Sequence, residues 1–381
     1  MFKNFNLIIV GSGLFGSVIA EQASRAGYRV AVIEKRSHIA GNCYTKDDPA
    51  TGINVHQYGP HIFHTSNQMV WDYINQFTKF NSYRHKCRIQ VGDQQYSMPI
   101  NLDTINSFYN ANYSPEQAKE FLDLMTAPYR QTAPANFQEQ AMALIGPELY
   151  HAFIRGYTLK QWETDPTLLP ASVARRLPVR TSYNDRYYND TWEGIPVGGY
   201  TPIFEKMLAH ENIQVFTDTD WFEVQHLKTA DQLVVYTGPI DLYYNYCYGK
   251  LTWRTLDFEF QQHNVGDYQG ITQVNFGDVE IPHTRIIEHR HFHPERTDYP
   301  KDQTVIGVER SRLASDNDTV YYPVNTPEDK LCYAKYRELA DAEPSTIIGG
   351  RLGEYMYYDM HQVIGSALTS WKNKIQVKLQ E

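Results

Sequence analysis

The chain has 381 residues, of which 42% are hydrophobic and 21% charged, and its formal net charge is -9. That length and balance suit two or three domains around a sizeable core, and they exclude a disordered chain. The acidic balance argues against the broad basic face that nucleic acid needs, and no run approaches the roughly 20 apolar residues of a membrane span.

The first apolar run, Leu7 to Ala20 behind Lys3, has the outline of a secretory signal, but Gly11, Gly13 and Gly16 interrupt it and give it another meaning. Residues Asn6 to Val10 predict a buried strand, GSGLFG spans Gly11 to Gly16, a helix follows to Ala26, and RVAVIE predicts a second strand ending at Glu34. This is a complete βαβ unit with a dinucleotide fingerprint. Gly11 permits the tight turn, Gly13 admits a pyrophosphate to the backbone, and Gly16 lets helix and strand pack closely. Glu34, at about the 20-residue spacing of the fingerprint, would take the ribose hydroxyls. Gly41 and Asn42 fall just past the second strand, where flavoproteins with two such dinucleotide contacts place glycines, so FAD is expected over NAD. Ala40 stands where a first glycine is usual.

His56, His61 and His64 follow, broken by Gly59 and Pro60. They lack a recognised ligand spacing, so no metal is expected, and His61 and His64 read better as flavin-facing contacts. Ser114 and Pro115 start a helical stretch that runs to Tyr157, divided by Pro128, Pro134 and Pro147. Trp162 to Pro178, with three prolines and no strong core pattern, suits a mobile lid over residues 162–178. Alternating Tyr, Phe, Ile, Thr and Val predict antiparallel strands in Tyr183–Tyr200 and Leu251–Val308, with His289, His291 and His293 alternating on one strand. Leu233–Asp241 predicts a further strand of the dinucleotide domain. In Ile347–Leu368 a strand ends at Gly349 and Gly350, and a helix follows Asp359. Arg351 between them could meet flavin phosphates or the ribityl chain, or simply sit at a helix end.

The four cysteines are scattered and the 29 tyrosines numerous. Neither a disulfide framework nor a zinc site is signalled, a reducing cytoplasm fits, and tyrosine faces and hydroxyls suit sugars and bases as well as cores. GYTLKQW followed by RRLPVR sets Tyr157 and Trp162 beside Arg175, Arg176 and Arg180. Aromatic faces with arginine forks suit a nucleoside diphosphate, although a solvated basic turn near a buried aromatic pair reads equally well. No hydrolase carboxylate pair or nucleophile motif stands out. The fold class is therefore α/β: a discontinuous Rossmann-like FAD-binding domain in 1–80, 205–245 and 335–381, a helical subdomain in 100–165, and an antiparallel sheet subdomain in 81–99, 176–204 and 246–334.

VGSGLFG, HIAGN, YGPHIFHT, GYTLKQW, LPASVARRLPVR, GIPVGGYT, YTGPID, TRIIEH, YYPVN and GGRLGEYMYYDMH together resemble the bacterial UDP-galactopyranose mutase family over nearly the whole chain. The resemblance implies a cytoplasmic, FAD-dependent isomerase that interconverts UDP-galactopyranose and UDP-galactofuranose for cell-surface polysaccharide. In it, N5 of reduced FAD is the nucleophile at the anomeric carbon and UDP the leaving group. It implies Arg176, Arg285 and His64 as catalytic residues, and a substrate pocket of Phe153, Tyr157, Trp162, Tyr187, Tyr322, Tyr357 and Asp359 with the two arginines. To the glycines and Glu34 it adds Leu14, Phe15, Lys35, Asn42, His61, Ile62, Arg351, Tyr357, Asp359 and Met360 as cofactor contacts. His85 departs from the family, which often has Asn there. A homodimer and a cellular reductant are further implied. The same fingerprint also suits a flavin-dependent amine or alcohol oxidase, or a protein that only captures a nucleotide sugar.

Overall fold

The computed structural model describes residues 2–174 and 177–380, apart from the side chain of Ser172. Arg175 and Arg176 lie outside the described residues.

Five parallel strands run in the order Thr346–Ile348, Leu233–Tyr236, Leu7–Val10, Val30–Ile33, Ile213–Phe216. The register is continuous across the centre, with Leu7 opposite both Leu233 and Val30. LIIV and VAVI are apolar throughout because both faces are covered, as parallel sheets require. Leu7, Ile9, Val30 and Val32 pack under the helices Leu14–Arg25, Thr201–Leu208 and Met360–Ser370. Ile8, Ala31 and Ile33 face the other way, into a cluster with Trp221, Trp253 and Tyr336. The strand at 233 stops at Tyr236, short of the expected Asp241, because Gly238 and Pro239 turn the chain into the short helix Ile240–Tyr243.

A second sheet orders seven strands as Tyr322–Pro323, Trp253–His263, Thr304–Leu313, Arg285–Glu288, Gln273–Phe276, Cys87–Val91, Gln94–Met98. All neighbours are antiparallel except Gln273–Phe276 and Cys87–Val91, which run parallel. Two expectations change here. Among the described residues, 176–204 adds no strand to this sheet; Trp192–Gly194 pairs instead with Phe63–Thr65 in a two-stranded sheet of its own. The histidines at 289, 291 and 293 do not alternate on a strand, since the chain turns into the 3-10 helix His289–Phe292, where His291 reaches back to Glu288 at 3.3 Å.

The helical subdomain opens with two capping boxes, Asn101 with Thr104 and Ser114 with Gln117. Phe137–Leu149 is kinked at Gly146, where φ is +79° just before Pro147. The helix then widens into a π-helical turn at Tyr150–Arg155 and continues as Gly156–Trp162. Gly156 lies against the large sheet so closely that a Cβ would sit 1.9 Å from the Gly277 carbonyl oxygen. Lys160 pins the same helix by donating through Nζ to the carbonyls of Phe276 (2.8 Å), Asp278 (2.8 Å) and His283 (3.1 Å). Tyr157 is thereby fixed against the strands Gln273–Phe276 and Thr304–Leu313, within electrostatic reach of Arg285. The expected lid is packed in part: Leu169 and Ala174 are buried in the helical core and the Phe137 amide donates to the Leu169 carbonyl, while Leu168 is exposed.

Candidate active site

The turn after Leu7–Val10 forms the dinucleotide cradle. Gly11 takes φ +101°, and a Cβ on it would fall 2.1 Å from Thr237 Oγ1. Gly16 faces the Gly11 carbonyl so closely that a Cβ would lie 2.0 Å from its oxygen, so its part is helix packing. Gly13 caps Leu14–Arg25 with no side-chain bond, which leaves the first-turn amides for an anion. Gly41 closes on Gly13, where a Cβ would be 3.0 Å from the Gly13 Cα. Ala40 has φ +77°, a left-handed conformation that explains why glycine is usual at that position.

A cavity of about 960 Å³ opens from this turn, with Gly13, Glu34, Asn42, Thr237, His61 and Arg351 in its wall. Leu14, Phe15, Lys35 and Met360 also line it. Glu34 is buried in the cavity wall, where its Oε2 accepts from the Ser12 amide at 3.0 Å and the Ser12 hydroxyl at 2.6 Å and its Oε1 from the Arg36 amide at 3.0 Å. Arg36 lies 4.3 Å over the Tyr58 ring and donates to Asn42 Oδ1 at 2.9 Å. The open helix end, the glycine cradle and the buried ribose acid fit the diphosphate and ribose of FAD. Lys35 also pairs with Asp220 at 2.9 Å. Gly16, Ile62, Tyr357 and Asp359, also expected as cofactor contacts, are not in the cavity wall; the Ile62 side chain is packed with Tyr83, Ile195, Ile287 and Phe292.

His61 joins the cavity to a second cluster. Burial pushes its imidazole down to about 4, and the charges of Arg351 and Arg285 act in the same direction. Arg351 donates from Nε to the Tyr358 carbonyl at 3.0 Å, and its guanidinium lies 5.3 Å from the Tyr357 ring centre and 5.8 Å from that of Tyr322. Those two rings are 5.4 Å apart. Asp359 follows and caps Met360–Ser370 in a capping box with Gln362.

Arg285 opens its strand with a side chain one-fifth exposed, and Nε donates to Oε1 of the fully buried Glu309 at 2.8 Å. Glu309 is the cross-strand partner of Arg285, a relation that spacing alone does not reveal. Burial pushes the Tyr157 phenol up to about 12 against the opposing charge of Arg285, with Glu309 and Tyr357 adding to the rise. Tyr187 and Tyr322 are raised as well, chiefly by burial, each within electrostatic reach of Arg285 and Tyr357. All three phenols therefore stay protonated donors at neutral pH. His85 occupies the same surroundings. It is buried, its Nδ1 is 2.9 Å from the Tyr83 hydroxyl, and its ring meets Tyr187 at 5.2 Å. Burial pushes it down to about 3, with Arg285 and His64 next in effect.

His64 sits on the small sheet with Nδ1 2.6 Å from Asp190 Oδ2, stacked on Tyr188 at 3.7 Å and 5.0 Å from the His361 ring. His64, Asp359 and His361 bring one ligand-type atom each within 4.8 Å of the others. Three sequence expectations fall elsewhere. Phe153 is fully buried against Tyr96 and Phe108, each at 5.1 Å, and so backs the site. Trp162 packs against that same helical core. Arg180 is a clamp on the 184–189 turn, donating to Asn189 Oδ1 at 2.7 Å and to the carbonyls of Asn184 and Arg186. Arg176 lies outside the described residues.

A glycine cradle on a parallel sheet assembled from distant segments, opening beside an arginine–tyrosine cluster, defines a Rossmann-like flavoprotein. Residues 9–77 match the NAD(P)-binding Rossmann-like domain, and residues 152–357 match UDP-galactopyranose mutase. A probable UDP-galactopyranose mutase of Klebsiella pneumoniae is 42% identical over 96% of this chain and 94% of its own. A dTDP-fucopyranose mutase of Escherichia coli is 39% identical over 95% and 96%. The chain belongs to the UDP-galactopyranose mutase family. A crystal structure of reduced UDP-galactopyranose mutase superposes with TM-score 0.74 over 98% of this chain and 96% of that one, at 14% identity. A putrescine oxidase, at 10% identity and TM-score 0.56 over 98% and 99%, shares the fold alone, and the amine or alcohol oxidase alternative gives way to the family. FAD is the cofactor that this cradle and this family imply. Among the described residues, no helix is long and apolar enough to cross a membrane.

Proposed function

We propose that this protein interconverts UDP-galactopyranose and UDP-galactofuranose, with FAD active in its reduced form. Arg285, set on Glu309 at 2.8 Å, within electrostatic reach of His61 in the cavity wall and of the protonated Tyr157, Tyr187 and Tyr322, is the observation that carries the reading. With Nε engaged by Glu309, the terminal nitrogens form the fork that grips a phosphate oxygen pair. Tyr187, Tyr322 and Tyr357 donate to the same diphosphate, Tyr157 stacks on the uracil, and Asp359 and His64 border the sugar. Arg176 is assigned the opposite side of the diphosphate by resemblance. When bound, reduced FAD supplies the nucleophile at the anomeric carbon. The protein's own work is to hold that carbon in place and to stabilise charge on the departing UDP, which preorganised donors do well.

We further propose a cytoplasmic homodimer that uses a cellular reductant and supplies galactofuranose for surface polysaccharide. Arg285→Ala tests the assignment: it is expected to retain FAD and lose at least about 10²-fold in turnover, the scale for a group acting on transition-state charge. Full turnover in that variant would remove the diphosphate role. The 39% identical dTDP-fucopyranose mutase makes the corresponding dTDP sugar the comparison substrate.

A further inference from the structure

We propose that Asp190 is a positioning residue for this site, holding the His64 ring in one tautomer so that Nε2 is the nitrogen left to a sugar hydroxyl. The proposal rests on the functional reading above, in which His64 borders the sugar. Pairing of Phe63–Thr65 with Trp192–Gly194 sets His64 opposite Glu193 and brings Asp190, just before that strand, to the imidazole edge. The contact is short, 2.6 Å from Nδ1 to Oδ2, and the histidine side chain is only 9% exposed.

The carboxylate is itself oriented. Its Oδ1 accepts from the Ser66 hydroxyl at 2.7 Å, and Ser66 Oγ accepts from the Thr191 amide at 3.0 Å. Tyr188 covers one face of the ring, at 3.7 Å between centres and 12° between planes. One edge and one face of His64 are thus fixed. Burial alone would raise the Asp190 carboxyl, but the hydrogen bonds from His64 and Ser66 prevail and hold it below its ordinary range. An ionised carboxylate accepts and cannot donate, so neutral His64 keeps its proton on Nδ1 and its lone pair on Nε2. The other titratable groups facing this ring are Asp359 and His361 at the start of Met360–Ser370, and His85 beside Tyr188.

The test uses full-length, FAD-loaded, reduced enzyme with UDP-galactofuranose. Asp190→Ala is expected to keep FAD and a KM within about twofold while kcat falls about 10–100-fold, the scale seen when a histidine loses its orienting carboxylate. Asp190→Glu, which restores a carboxylate, is expected to recover most of the lost kcat. Unchanged kcat in Asp190→Ala overturns the proposal. Should Asp190→Ala fold poorly, Asp190→Asn, close in shape, carries the same expectations. A second readout is independent of turnover: ¹⁵N-histidine spectra are expected to show His64 protonated on Nδ1 in the natural protein and a shifted tautomer in Asp190→Ala. The same tautomer in both overturns the proposal, whereas a tautomer shift in an enzyme inactive on UDP-galactofuranose sustains it and removes only the substrate assignment.

Discussion

At the scale of single residues, Arg285 is held by a carboxylate that solvent does not reach. Glu309 is fully buried, and its Oε2 has no hydrogen-bond partner. Glu309→Ala leaves the guanidinium without its partner. Since Arg285 keeps one-fifth exposure, a loss of about 3 kcal/mol, the low end for breaking a buried pair, is expected in chemical denaturation. Turnover is expected to fall along with stability, because the arginine fork loses its anchor. Ala40 works in the opposite sense. Its φ of +77° costs an L residue about 1–2 kcal/mol, part of which glycine would lose again through the entropy of the unfolded chain. Ala40→Gly is therefore expected to raise stability by about 0.5–1 kcal/mol; an unchanged or lower midpoint would contradict the strain. Arg285 was legible in the sequence through TRIIEH, but Glu309, which lies on the next strand, was not. Asp190 was missed for the same reason, since its partner His64 lies in another sheet strand, 126 residues away.

At the scale of elements, two glycines make contrasting demands. Gly16 packs the first helix on the loop that cradles the diphosphate, whereas Gly156 packs the Tyr157 helix on the large sheet. Gly16→Ala would drive a Cβ to 2.0 Å from the Gly11 carbonyl oxygen, so the expected outcome is protein purified without FAD. Gly156→Ala would press on Gly277 instead, 1.9 Å from its carbonyl oxygen. That variant is expected to keep FAD while KM rises at least several-fold, and equal loss of FAD in both would contradict this division. The first βαβ unit could be read from sequence because its periods, glycines and acid all lie within one local stretch. Residues 177–204 could not, because the tyrosines there pack on histidines instead of alternating along a strand, Tyr187 against His85 and Tyr188 on His64. The lid expected at 162–178 likewise hid a packed piece: Leu169 and Ala174 reach the helical core, which the prolines around them obscure.

At the scale of the whole molecule, burial of histidines ties stability to pH. His85 and His289 are pushed down to about 3 and His61 to about 4, in each case chiefly by burial. Their folded values lie below the ordinary 6.5, so the unfolded chain binds more protons between those limits. The stability is present above about pH 6.5 and is lost as pH falls towards 3–4, at up to about 1.4 kcal/mol per pH unit for each histidine. Melting temperatures are expected to fall steadily from pH 6.5 to pH 5; a flat profile would mean that these rings are not neutral in the fold. The discontinuous dinucleotide domain, expected in three segments of the sequence, takes its strand order only at this scale. The strands at 7, 30, 233 and 346 can each be read from the sequence, whereas the half-exposed Ile213–Phe216 at the sheet edge carries no such signal, and the order of all five follows from three-dimensional pairing.

The central claim, a redox-neutral isomerase that works only with reduced flavin, is tested most directly by anaerobic incubation with UDP-galactofuranose, with and without dithionite, following the pyranose form by chromatography. Conversion after reduction and none before is the expected result. Equal conversion in the oxidised state, or none in either state with FAD bound, would contradict it.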